Sequence, residues 1–227
     1  MDTNSTSSSS IIVRSYQPSD LSACHELFTE AHRGYNNPMS YINSHLRGDM
    51  ADIEKNYLQI PSGHWWVAVS TEDNRIVGQV AVLPMRLGDS EYYSRAPVEE
   101  RDQICELLRM GVKQDVQRLG VGKKLISTLI NFARENGYRQ VHVTTLTCMD
   151  KANAFYQRNG FIKGHIQKKS LSNTPENTND ENKSVNNQPT DTIFEVGAII
   201  SDEDQRLMKL LVMESKFIYI QHYHLPI

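Results

Sequence analysis

Cysteine is scarce: the 227 residues hold only Cys24, Cys105 and Cys148. Three widely spaced thiols make no disulfide framework, and they fit a reducing compartment. They read as small buried fillers rather than nucleophiles. The first ten residues, MDTNSTSSSS, lack the apolar core of a secretory signal. Long apolar runs are missing as well. The most apolar stretch, residues 77–85, is broken by Gly78, Gln79 and Pro84. It is strand-sized, well short of the roughly 18 apolar residues of a spanning helix. No excess of positive charge exists: 24 Lys and Arg stand against 27 Asp and Glu, for a formal charge of −3. No basic patch is dense enough to follow a phosphate backbone. His222 and His224 share one face of a strand pattern, but no third side chain has ligand spacing to them. These absences lead us to expect no metal, no nucleic-acid partner, no membrane span and a cytoplasmic, or nucleocytoplasmic, location.

What is present reads as one domain. Apolar residues make up 39% and charged residues 22%, a globular profile at a length that can bury a core. Residues 1–10 read as a disordered tail, and 11–227 as a single domain. Within it, residues 168–192 are rich in Asn, Ser, Thr and Lys and nearly free of apolar side chains, so they read as a disordered insertion. Strand patterns fall at 11–15, 64–70, 75–83, 104–113, 141–146, 161–166 and 217–224. Gly111 inside the fourth of these suggests a bulge or a close backbone approach. Helical spacing of Leu21, Cys24, Leu27 and Phe28 follows a turn where Ser19 or Asp20 can cap. A second helical stretch runs over about 38–58, and the clearest helix covers 120–136. Shorter helices fit 151–158 and 202–213. This order implies an α/β, or α+β, domain around one mixed sheet.

Between the fourth strand and the clearest helix stands Gln117-Arg118-Leu119-Gly120-Val121-Gly122, followed by Lys123 and Lys124. Glycines here let the backbone approach an anion closely, and the helix start offers free N–H groups with a partial positive charge. A diphosphate is the natural ligand; a glycine-rich turn that binds nothing is the plainer reading. Other phosphate loops do not fit. A Walker loop would need glycine at Gln117 and Ser or Thr at Lys124, and a dinucleotide fingerprint would need glycine at Leu125. Asp49 and Asp52, three apart on a helix face, read as either an amine site or a solvated face.

The Gln-x-x-Gly-x-Gly pattern after a bulged strand resembles the acetyl-CoA pyrophosphate motif of the GNAT superfamily of N-acetyltransferases. A second GNAT signature is similar to Ala152-Asn153-Ala154-Phe155-Tyr156-Gln157-Arg158-Asn159-Gly160-Phe161. Three further stretches resemble the camello branch, which includes the cysteine-S-conjugate N-acetyltransferases: Gly48-Asp49-Met50-Ala51-Asp52-Ile53, Asn136-Gly137-Tyr138 and His224-Leu225-Pro226. That branch carries a hydrophobic membrane segment before the Asp-Met-Ala-Asp-Ile stretch; here the residues are His32-Arg33-Gly34-Tyr35-Asn36-Asn37.

The resemblance implies a GNAT-like mixed, twisted sheet of about six to seven strands flanked by helices. It implies acetyl-CoA as co-substrate and an amine acceptor, either a protein lysine or N-terminus or a small amino acid or cysteine conjugate. Acetyl would pass directly to the amine in a ternary complex. By the same resemblance Met110 and Val112 offer backbone groups to the pantetheine arm, and an N–H near Met110 polarises the acetyl carbonyl. Gln117, Arg118, Leu119, Gly120, Val121, Gly122 and Lys123 would hold the diphosphate, and Asn153 joins the cofactor contacts. Tyr156 stands where the family places its general acid. Glu106 is the candidate base: on a regular strand it would share a face with Met110 and Val112. The alternative function is a non-catalytic acyl-CoA-binding module. With no spanning segment, the protein is expected in the soluble fraction after lysis at moderate salt. Recovery only with detergent would reveal an anchor.

Overall fold

The structure, a computed structural model, describes residues 11–88, 90–170, 192–210 and 217–227. The tail at 1–10, most of the 168–192 insertion and the end of the helix expected at 202–213 lie outside these residues. Eight strands run in the order β1-β2-β3-β4-β5-β8-β6-β7. The chain divides into two compact units, one of residues 11–34, 39–142 and 226–227, the other of residues 35–38 and 143–225.

The first unit is built on four successive antiparallel strands: β1 (Ile11–Ser15), β2 (His64–Ser70), β3 (Ile76–Pro84) and β4 (Ile104–Val112). The start of β5 (Gln140–Leu146) joins β4 in parallel, from Ile104↔Gln140 to Glu106↔His142. On one sheet face lie α1 (Leu21–Arg33) and α2 (Met39–Arg47). Their apolar stripes, with Leu27, Phe28 and Ile42, close over Trp65, Val67, Ala81 and Leu83. Trp65 is fully buried and meets Tyr57 edge-on at 4.9 Å. The other face carries α4 (Val121–Glu135). Gly78 lets this helix come close: a Cβ there would sit 3.0 Å from Leu125 and 3.1 Å from Val121. A short helix α3 (Ser90–Arg95) lies in the polar stretch before β4.

The helical stretch expected at 38–58 is broken. Helix α2 stops before Gly48, a position that only glycine fits, since a side chain there would sit 2.7 Å from the Ser44 carbonyl. Met50 and Ile53 still reach the core from the turn that follows, and a π-helical turn, Glu54–Leu58, completes the segment. Asp20 does not cap α1. Its carboxylate accepts the Gln17 N–H at 2.8 Å and a two-pronged contact from Arg14 at 2.6 and 2.9 Å, one turn earlier.

In the second unit, α5 (Asp150–Arg158) follows β5, and β6 (Ile162–Ser170) pairs antiparallel with β8 (Phe217–Pro226) and with β7 (Thr192–Phe194). The strand β6 therefore extends into the expected insertion, and β7 begins at its end. This raises the sheet to eight strands rather than six or seven. Gln221 fills a bulge in β6 by donating to the carbonyls of Gly164 and His165 at 3.0 and 3.3 Å. Helix α6 (Asp202–Leu207) is capped by Ser201 and held by Asp204, which accepts from Lys168 at 2.7 Å and from Tyr219 at 2.6 Å. Among the described residues no helix is long and apolar enough to cross a membrane.

Gly78→Leu should force α4 off β3. Overpacking of this kind costs about 1–3 kcal/mol, to be read as a lower urea midpoint at unchanged m-value.

Candidate active site

Strand β4 and the start of α4 are joined by Lys113, a 3-10 turn, Gln114–Val116, and the four residues 117–120. Two of the four are left-handed: Arg118 at φ 68° and Gly120 at φ 81°. Glycine adopts this conformation without a Cβ penalty, and nothing crowds the position where a Cβ would stand. Val121 is buried and anchors the first turn of α4, whereas residues 117–120 and Lys123 are exposed. Among the described residues, the amides of residues 120–123 meet no acceptor; Lys124 is the first to close a helical bond, to the Gly120 carbonyl at 3.0 Å. Four unpaired N–H groups at the positive end of a helix are suited to receive an anion. Gln117 ties the loop to the strand, its amide donating to the Val112 carbonyl at 3.2 Å. Lys124 turns away and donates to the Ile11 carbonyl at 2.8 Å.

The pairing of β4 with β5 stops at Glu106↔His142. Beyond it, β4 continues to Val112 with β3 on one edge only. The Lys113 N–H reaches the Val77 carbonyl at 2.8 Å, so by alternation the polar groups of Val112 point to the open edge. Register fixes the bulge. Ala81 faces Leu108 and Gln79 faces Gly111, so β4 spends three residues where β3 spends two. Arg109, at φ 54°, is the residue turned left-handed. The bulge therefore lies at Arg109–Met110, one to two residues before the expected glycine. Gly111 is needed for space, since a Cβ there would overlap Leu27.

The bulge also reverses side-chain parity. Leu83, opposite Glu106, belongs to the core under α1 and α2, whereas Gly78, opposite Val112, faces α4. Glu106 and Val112 thus lie on opposite faces, not on the shared face that a regular strand would give. Nor is Glu106 an exposed strand residue: it is 3% exposed. Its carboxylate lies 3.9 Å from Nδ1 of fully buried His142, and Gly88 leaves it room that a Cβ would take. Tyr92 stacks on the His142 ring at 3.8 Å, and its hydroxyl accepts from Gln140 at 3.0 Å. A buried carboxylate needs such a partner.

Asp49 is neither a solvated helix residue nor a free amine site. Arg109 donates to both its oxygens at 2.8 Å, and the Tyr57 hydroxyl donates to it as well. His45 Nδ1 lies 2.9 Å from the same guanidinium and 3.4 Å from Asp49. Arginine has only donors, so the imidazole nitrogen accepts from it. Burial alone would raise the Asp49 carboxyl; hydrogen bonds from Arg109 and Tyr57, with the charge of Arg109, outweigh burial and hold it well below the usual carboxylate range. Nearby His32 is pushed down to about 4 by burial, His45 and Arg109, and stays neutral at physiological pH.

In the second unit Tyr156 is 6% exposed and sits among Phe161, Phe155 and Tyr223, with ring centroids at 5.4, 5.6 and 5.9 Å. Burial, then Tyr223 and Tyr35, push its phenol well up, so the proton stays on. Its hydroxyl makes no hydrogen bond among the described residues. Asn153 is fully engaged within the chain. It donates to the carbonyls of Leu146, Met149 and Thr147 at 2.9, 2.9 and 3.3 Å, and accepts from the Tyr223 hydroxyl at 2.8 Å. It pins the first turn of α5 to the end of β5.

The family model described as acetyltransferase (GNAT) family matches residues 21–161. The chain belongs to the GNAT acetyltransferase family. It is 37% identical over 123 residues to N-acetyltransferase 8F1 of Rattus norvegicus, a match covering 54% of this chain and 50% of that protein. It is 35% identical over 123 residues to N-acetyltransferase 8 of Homo sapiens, covering 54% and 49%. With the Xenopus tropicalis protein named Probable N-acetyltransferase camello it shares 34% over 122 residues, covering 54% and 49%. The matched chain spans about half the length of these curated relatives. Among solved structures it resembles a GNAT acetyltransferase from Staphylococcus aureus, with a TM-score of 0.56 at 21% identity over 73% of this chain and 90% of that one. It also resembles the Salmonella typhimurium protein yncA, solved with its cofactor acetyl-CoA, with a TM-score of 0.55 at 14% identity over 95% and 93%. At such identities these two show the fold alone.

The GNAT match contains the whole run from Glu106 to Tyr156. Sequence reasoning missed Arg109, His142 and Tyr92. Each acts through a partner remote in the chain, and no spacing rule links Glu106 to His142 or Asp49 to Arg109. Gly120→Asp or Gly122→Asp puts a carboxylate beside the unpaired amides, and at Gly120 also strains a left-handed residue. Each should weaken acetyl-CoA binding by at least about tenfold, or roughly 1.4 kcal/mol. Calorimetry on a folded variant with unchanged affinity would remove the loop from the site.

Proposed function

We propose that this GNAT protein is an N-acetyltransferase that passes acetyl from acetyl-CoA directly to a primary amine. The observation that carries the reading is the set of unpaired amides at residues 120–123, tied through Gln117 to the open edge of β4. In this reading the diphosphate sits on those amides, within the loop of Gln117, Arg118, Leu119, Gly120, Val121 and Gly122, with Lys123 adding charge. Met110 and Val112 receive the pantetheine arm along the open edge, and the Met110 N–H donates to the thioester carbonyl oxygen as charge develops there.

Glu106 takes a proton from the acceptor ammonium, and His142 beside it shares that charge. The neutral nitrogen then attacks the carbonyl carbon. Collapse breaks the C–S bond, leaving CoA as a thiolate and the new amide still carrying one extra proton on nitrogen. Tyr156 donates its proton to that sulfur, and its phenolate takes the second proton from the nitrogen, which leaves the neutral amide and restores the phenol. Both ends of the Asn153 amide are used within the chain, so in this reading it positions α5 and the Tyr156 it carries rather than touching the ligand. The acceptor is either a protein lysine or N-terminus, or a small amino acid or cysteine conjugate. The camello and N-acetyltransferase 8 relatives support an amine acceptor in general terms. The cytoplasm is the proposed compartment, supported by three free cysteines.

A CoA-release assay with purified protein and a panel of amines tests the activity. Saturable acetyl-CoA binding with no release on any amine would favour a non-catalytic acyl-CoA-binding module. Tyr156→Phe removes one hydroxyl and little volume. General acids supply about 10²–10⁴-fold, and a loss in kcat near the lower end is expected, because water can replace part of the function. KM for acetyl-CoA should hold, since the proton moves only near the transition state. Wild-type kcat in the variant, with chemistry as the slow step, would take Tyr156 out of the mechanism.

A further inference from the structure

A chain of polar contacts in the first unit ends on the β4 bulge. Arg109 holds φ 54°, a conformation that residues with a Cβ adopt at a cost. Its guanidinium is gripped in two-pronged fashion by Asp49, with both contacts at 2.8 Å, and lies over the Phe28 ring at 5.5 Å. Two parallel bonds to a carboxylate fix orientation as well as distance. Asp49 is itself fixed. Tyr57 donates to its carboxylate, and Asn56 donates to its carbonyl at 3.0 Å. The flanking residues leave the turn no slack. Gly48 admits no side chain, Met50 and Ile53 are buried in the core, the Met50 carbonyl lies 2.8 Å from His25 Nε2, and Asp52 accepts the Lys55 N–H at 2.9 Å. Each residue of Gly48-Asp49-Met50-Ala51-Asp52-Ile53 but the exposed Ala51 thus serves to seat one carboxylate on one arginine.

We propose that Asp49 is a positioning residue: through Arg109 it holds the β4 bulge left-handed and so fixes the Met110 N–H in the orientation that the acetyl carbonyl requires. The inference rests on the preceding assignment of Met110. Arg109 and Asp49 neutralise each other, which leaves neither as a charge for the acceptor.

Changing one partner alone would strand a buried charge, so the test changes both. Asp49→Asn is combined with Arg109→Gly in one variant and with Arg109→Ala in a second. Glycine takes the left-handed bulge unaided, whereas alanine resists it. The expected result is a kcat within about threefold of wild type for the glycine pair. The alanine pair should lose about tenfold more, equivalent to about 1.4 kcal/mol, with acetyl-CoA affinity alike in both. Equal losses, or no loss in either, would overturn the proposal. Hydrogen exchange at Met110, faster in the alanine pair than in the glycine pair, reads the bulge without catalysis. A wild-type protein that turns over no amine would therefore sink the acetyltransferase reading, while equal exchange in the two pairs would sink the clamp. Should either pair fail to fold, Tyr57→Phe decides, since it removes one bond to Asp49 and little volume. A lowered kcat at unchanged acetyl-CoA affinity supports the clamp, and an unchanged kcat overturns it.

Discussion

Four backbone N–H groups at the start of α4 have no partner among the described residues, and the first unit is arranged around keeping them so. An unpaired donor is tolerated at a helix end because water or an anion can reach it. To hold the amides at the surface, the chain turns left-handed at Arg118 and Gly120 and then drops Val121 into the core. Gly78 brings α4 down onto β3, so the helix start cannot lift away. The strand that leads into the loop is in turn left without a neighbour on one edge, because β5 stops pairing at His142.

Buried and half-buried charge is treated consistently. Asp49 has Arg109, Glu106 has His142, Asp20 has Arg14 and Asp204 has Lys168. Such pairs add little net stability, since desolvation offsets most of the attraction, but breaking one leaves a costly lone ion. Their contribution is geometric. The Arg109–Asp49 pair joins a turn after α2 to a bulge about sixty positions later. The Glu106–His142 pair sits at the last register before β4 and β5 cease to pair.

Much of this was readable from residue order. The alternating and helical patterns located seven of the eight strands, and the glycine spacing after β4 marked the loop. What escaped was what only three dimensions supply. The parity of Glu106 depended on a bulge that the sequence put at Gly111 and the fold puts at Arg109. The helix expected over 38–58 breaks at Gly48, where the backbone lies too close to the Ser44 carbonyl to admit a Cβ, a closeness invisible to periodicity. The strand β7 is three residues long, too short for any alternation to register, and exists because β6 offers it an edge. Asp49 looked like a surface acid because its partner arginine lies on another element.

The hydrogen bond from Gln117 to the Val112 carbonyl turns the loop and the strand into a gauge of fixed length. Each residue of β4 advances the chain by about 3.3 Å, and the bond removes the play that a free loop would add to that count. A molecule that is gripped at the amides of α4 and read at Met110 must match the interval between them. Acyl thioesters with a shorter or missing arm could occupy one end of the gauge or the other, but not both together. In the proposed reading, selection of the donor by length rests on the glutamine side chain that fastens the loop to the strand.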